Sequence, residues 1–235
     1  MSRARDEFLA RVRRAVQEGN RAGHAPALEP RGGLGYQGAG ADPVACFAAA
    51  LRAAGGQCHI VAGPREAAAR VLELVEQADP RRVLLGRGEL LRRLDLAGLL
   101  RSTGVKVWQE PEAGAEVPEP EEVKDALFAA AVGITGVDWL IAETGSIVLT
   151  TARGQARSLS LLPPLHIAVA ERRQLLPDLF DLFPPGAADA LSDRGKPLPA
   201  CVTIITGPSK TGDIELRLVT GVHGPGAVHV VLLAG

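Results

Sequence analysis

From residue 42 onward the chain alternates segments of helical and strand periodicity, and this rhythm restricts its possible architectures more than any other feature. Apolar residues recur at helical spacing over 43–54, 65–78 and 89–101, and short apolar runs at 57–62, 82–85 and 105–109 lie between them. Strands separated by helices pair in parallel, because a parallel neighbour needs a crossover long enough to hold a helix. The expected fold class is therefore α/β, with an open, mainly parallel sheet. Apolar residues make up 46% of the 235, which is ample for one buried core.

Ahead of this rhythm, Phe8, Leu9, Val12 and Val16 stand at helical spacing among charged residues and predict an amphipathic helix over 3–18. Residues 19–42 are rich in Gly, Pro and Ala without periodicity, so a flexible segment is expected there. The chain is accordingly divided into 1–41, an N-terminal helix and flexible linker, and 42–235, the α/β domain. Gly33, Gly35 and Gly38 match G-x-G-x-x-G, but with no strand before them and no helix after them they fail as a dinucleotide fingerprint.

Charge and cysteine usage narrow the function. With 26 basic and 27 acidic residues the net charge is −1, too weak a field to gather nucleic acid. No run approaches the ~18 apolar residues of a membrane span, and the charged N-terminus lacks a signal-peptide core, so a cytoplasmic location is expected. Cys46, Cys58 and Cys201 lie far apart with no metal-type spacing, so no metal and no cofactor are expected on this chain.

Past residue 125 the chain becomes rich in strands, at 139–142, 146–150, 166–170, 201–206 and 228–233, and the chemistry-bearing residues gather there. Glu143-Thr144-Gly145 closes one strand, where a carboxylate either lines a cleft or caps a turn. Asp138 and Glu143 differ by an odd number, so a regular strand sends them to opposite faces and a paired-carboxylate hydrolase is disfavoured. The strand at 201–206 empties into Gly207, Ser209, Lys210, Thr211, Gly212 and Asp213. Glycines that admit close backbone approach, hydroxyl donors and one cation suit a small anion, with a capped turn as the alternative. The order Lys210-Thr211-Gly212 excludes a P-loop, and Thr211 excludes a nucleophile elbow. His223 and His229 flank Gly224-Pro225-Gly226, which predicts a hairpin turn; His223 is the functional candidate and His229 a core residue.

Three segments together resemble the lactate-utilisation protein C family (LutC, YkgG) of LUD-domain proteins: Gly136-Val-Asp-Trp-Leu-Ile-Ala-Glu-Thr-Gly-Ser, Leu161-Leu-Pro-Pro-Leu-His-Ile, and Thr206-Gly-Pro-Ser-Lys-Thr-Gly-Asp-Ile-Glu followed by Gly221-Val-His-Gly-Pro. They span about the C-terminal hundred residues. Ser146 stands where Thr is common in that family and Lys210 where Arg is common. The resemblance implies a fold like that of glucosamine-phosphate (NagB) and ribose-phosphate (RpiA) isomerases and CoA transferases. It also implies a place in a three-protein system oxidising L-lactate to pyruvate, whose two other proteins carry the iron–sulfur clusters. On that view this chain is the subunit without clusters, and a small anion such as lactate or pyruvate would bind at Thr144, Gly145, Gly207, Ser209, Lys210, Thr211, Gly212 and Asp213, beside Glu143 and His223. A stand-alone isomerase-like or CoA-transferase-like enzyme using Glu143 is the alternative.

Overall fold

The computed structural model describes residues 3–21, 35–111, 118–152, 155–182, 199–214 and 217–235. It divides into two units, 1–36 and 37–235. In the first, helix α1 (Arg3–Arg21) carries Phe8, Leu9, Val12 and Val16, all exposed.

The second unit is built on a six-stranded sheet, entirely parallel, in the order β1-β12-β7-β4-β2-β3. Its strands are β1 (Gln57–Val61), β2 (Arg82–Leu85), β3 (Lys106–Trp108), β4 (Val132–Gly136), β7 (Leu165–Glu171) and β12 (Ala227–Leu233). From β1 to β2 and on to β3 the chain crosses the sheet in one direction, through α3 (Pro64–Ala78), α4 (Glu89–Arg93) and α5 (Leu96–Ser102). These helices bury Val71, Leu91 and Leu100 against Val83, Ile134, Ile167 and Val231 on one face. The return from β3 through β4 and β7 to β12 runs the other way, so right-handed crossovers put its connections on the opposite face.

That second face is covered by α2 (Pro43–Ala53), α6 (Pro120–Phe128), α7 (Ser158–Leu161) and a further four-stranded sheet, β8-β5-β6-β9. The latter comprises β5 (Trp139–Ile141), β6 (Ser146–Thr150), β8 (Leu175–Leu176) and β9 (Val202–Ile205), antiparallel except between β5 and β8. Phe47 and Leu51 of α2 pack with Leu140, Ile147, Ala168 and Val230 between the two sheets. A small hairpin, β10 (Lys210–Ile214) with β11 (Arg217–Thr220), completes the fold.

Three expectations need revision. Residues 37–42 are fixed: Gln37 and Gly38 donate their amides to Asp178 at 2.6 and 3.0 Å, Ala39 is buried, and Asp42 caps α2 through the amides of Val44 and Ala45. Residues 22–34 of the expected flexible segment lie outside the described residues. The 89–101 helix is broken at Asp95, whose left-handed backbone (φ 48°) starts α5 and whose carboxylate accepts from Gly98. The turn at 224–226 does not close a hairpin, because β11 pairs with β10 whereas β12 enters the parallel sheet.

Candidate functional site

Antiparallel pairing of β5 with β6 sets Ile141 opposite Ser146, so residues 142–145 form the turn between them. Gly145 has φ +65°, and a β-carbon there would collide with the α2 backbone at Ala50 and Leu51. Pairing of β6 with β9 then brings Thr206 beside Ser146, producing a hydroxyl chain from Thr144 to Ser146 (2.6 Å) to Thr206 (2.7 Å). Glu143 faces the 177–180 loop: its amide donates to the Pro177 carbonyl, and its carboxylate accepts from the Leu179 amide at 3.3 Å. Asp178, which the sequence did not single out, is fully buried and gathers the amides of Gln37, Gly38 and Phe180. Burial works to raise the Asp178 carboxyl, but those amides, joined by a hydrogen bond with Glu143, outweigh it and hold the group below the usual carboxylate range.

The segment from Gly207 to Asp213 is divided between a loop and β10. Gly207 (φ +74°) lies against the Ala54 carbonyl at the end of α2, so its missing β-carbon serves helix contact. Lys210 donates Nζ to the same carbonyl at 2.6 Å, a cation at the negative end of a helix. Ser209 is knitted to the following turn, donating its amide to Pro225 and accepting at its carbonyl from Gly221. His223 is exposed in that turn. Thr211, Gly212 and Asp213 lie in β10, where Thr211 pairs with Val219; the side chain of Asp213 lies outside the described residues.

Thr144, Gly145, Gly207, Ser209 and Lys210 are thus brought to one region, with His223 in the adjoining turn. That region lies beside the amino ends of β1 and β12, since Gly55 and Pro225, which it touches, directly precede them. These loops do not lie at the carboxyl ends of the parallel sheet, because β5 and β9 belong to the second sheet.

A different polar recess lies between the two sheets. Thr135 of β4, Thr150 and Thr151 at the end of β6, Thr203 of β9, and Gln155, Arg157 and Ser160 around α7 line it. The cavity itself is about 10 Å³, the room of one water molecule. Behind Thr135, His166 is fully buried, its Nε2 2.9 Å from the threonine hydroxyl. Its Nδ1 has no partner among the described residues. Burial pushes the His166 pKa down to about 4, so the ring is neutral at neutral pH. Gly133 admits this arrangement, since a β-carbon there would collide with the Leu159 carbonyl. The recess therefore offers neutral hydroxyl donors, with the exposed Arg157 guanidinium at its rim. Its residues come from four elements: Thr150 and Thr203 fall within strands expected from the sequence, whereas Thr135 and Ser160 stand just outside the segments that carry the family resemblance.

The cysteines stand apart. Cys46 contacts the Ala142 carbonyl at 3.5 Å, and burial pushes the Cys58 thiol up to about 11. Among the described residues no three His, Cys, Asp or Glu side chains converge, and no helix is long and apolar enough to cross a membrane. His59 of β1 pairs its Nε2 with Nδ1 of His229 at 3.0 Å, and their rings are stacked.

Comparison with known proteins agrees with this architecture. Lactate utilization protein C of Halalkalibacterium halodurans is 34% identical over 152 residues, covering 65% of this chain and 62% of that protein. Its Bacillus subtilis namesake is 35% identical over 136 residues, 57% and 52% of the two chains. Escherichia coli YkgG, described as uncharacterized, is 31% identical over 172 residues, 71% and 69%. The chain thus spans roughly 60% of the length of several curated relatives that it matches. A crystal structure of a DUF162 family protein from Deinococcus radiodurans shares the fold, with a TM-score of 0.55 at 22% identity, covering 82% of this chain and 96% of that one. The LUD domain family model matches residues 44–233, all but a few residues of the two-sheet unit, and the chain belongs to the LUD domain family.

Proposed function

We propose that this chain serves the utilisation of L-lactate, as the component without iron–sulfur clusters in a system whose partner proteins carry them. The observation that carries this reading is the set of relatives named Lactate utilization protein C at 32–35% identity. Its contribution is to hold a small 2-hydroxy or 2-oxo carboxylate, lactate or pyruvate, at the mouth of the recess between the sheets. There Arg157 meets the carboxylate, and the Thr135, Thr150 and Thr203 hydroxyls face the rest of the molecule. In this reading Glu143, whose carboxylate holds the Leu179 amide, positions the 177–180 loop rather than attacking substrate.

The test is growth on L-lactate of a strain lacking only this gene, complemented with the wild type, Arg157→Ala or Lys210→Ala. The deletion abolishes growth and the wild type restores it. Arg157→Ala, which removes a charge-assisted contact of about 1.5–3 kcal/mol, weakens lactate binding roughly ten- to a hundredfold in calorimetry on the purified chain. Unimpaired growth of the deletion strain would overturn the pathway role. If Lys210→Ala rather than Arg157→Ala weakens lactate binding, the anion lies at the Gly207–Lys210 loop instead.

A further inference from the structure

We propose that the crevice at the carboxyl ends of β1, β12 and β7 is a binding site for a phosphorylated organic molecule with an apolar body. This inference goes beyond the lactate reading and does not rest on it, since its residues are not those of the recess. The chain leaves β1 for α3 on one face of the sheet and leaves β7 for the second sheet on the other, with the end of β12 between them. Such a divergence opens a crevice at the strand ends, where α/β sheets take their ligands. Here it encloses about 610 Å³, lined by Gly63, Pro64, Arg93, Glu171, Arg172 and Arg173 among others. That volume falls in the range of small-molecule sites and far exceeds what a three-carbon acid fills.

The chemistry of the lining favours a multiply charged anion. Glu171 accepts from Arg93 and, at 2.8 Å, from Arg173, so one carboxylate fixes two guanidiniums at the rim. Arg172 is exposed and makes no ion pair among the described residues. Three planar forks against one acidic side chain match phosphate geometry better than a single carboxylate does. Gly63, at the start of α3, has an extended backbone that any residue adopts, and a β-carbon there would touch nothing within 4 Å. The helix therefore begins without a side-chain cap, beside open space on the crevice. Sharing Pro64 and Arg93 with the crevice is an adjoining groove of about 360 Å³ whose walls include Ala68, Leu72, Leu94 and Leu99. An apolar group attached to the phosphate fits that wall.

Calorimetric titration of the full chain at low salt with inorganic pyrophosphate, and separately with ADP, tests the assignment. Pyrophosphate is expected to saturate the protein, and ADP to bind more tightly because its adenosine reaches the groove. Arg172→Ala, which breaks no ion pair among the described residues, should weaken both about tenfold or more without shifting the melting temperature, and Arg172→Lys should restore part of the loss. Lactate should not compete with pyrophosphate, whatever the outcome for Arg157→Ala. The proposal is overturned if neither probe saturates, if Arg172→Ala binds both as the wild type does, or if lactate displaces pyrophosphate. ADP binding no tighter than pyrophosphate would overturn the apolar body.

Discussion

Gly145, Gly207 and Gly133 each give up a side chain to let another backbone approach: that of α2 for the first two, and that of α7 for the third. Their spacing marks where layers touch, which is why glycine-rich loops read as ligand cradles also serve as joints. His166 makes the complementary point for a polar residue, since it is held neutral by burial, with the Thr135 hydroxyl its one hydrogen-bond partner among the described residues. The sign of its effect on stability follows directly. Folded, it resists protonation down to about pH 4, whereas unfolded it takes up a proton near its ordinary 6.5. Stability from this residue is therefore complete above pH 6.5 and declines as pH falls towards 4, by a total of about 3 kcal/mol. His59 and His229, both lowered chiefly by burial, add in the same direction. Urea-denaturation midpoints measured from pH 7.5 to 4 should fall, and His166→Gln should show a visibly shallower decline; an identical pH profile for the variant would refute the assignment.

At the scale of elements, α2 is held at both ends by polar contacts, Asp42 at its start and Lys210 at its end. The Lys210 contact is exposed, so losing it should cost at most about 1 kcal/mol. Lys210→Ala is expected to lower the melting temperature by a few degrees at low salt and by less in 1 M NaCl. A loss that does not diminish with salt would mean that the ammonium acts through packing instead. The strands of the parallel sheet were legible where they are continuous apolar runs, as at 82–85 and 228–233. The central strand β4 was not, because Gly133, Thr135 and Gly136 interrupt its run, and those interruptions are what the close contact with α7 and the polar recess require. The strands at 139–142 and 146–150 are legible as apolar runs, but local pattern does not say which sheet a strand joins, and so it leaves open where the loops after β5 and β9 come to lie. The recess was illegible for a related reason: residues from four elements meet only after the sheets pack. His229, expected as a core residue, finds its partner His59 170 residues away in sequence, a contact that no local pattern announces.

At the scale of the whole molecule, the three sheets and seven α-helices of the described residues leave the three cysteines scattered, with Cys58 held as a protonated thiol. Expressed alone and purified anaerobically, the chain is expected to be colourless and to carry neither iron nor flavin. Stoichiometric iron by elemental assay would contradict the division of labour proposed above. The sheet order has a consequence for how the protein is made. In the six-stranded sheet β1 has one neighbour, β12, joined from Gln57 opposite His229 to Val61 opposite Leu233. A nascent chain therefore presents β1 early and keeps it unpaired while every intervening strand is synthesised, because its partner β12 follows them all in chain order. Long-range pairing of this kind is slow and exposes an open strand edge in the meantime. The polar residues of β1, Gln57 and His59, lie along that waiting strand, and they temper its tendency to recruit a second nascent chain before its own partner arrives.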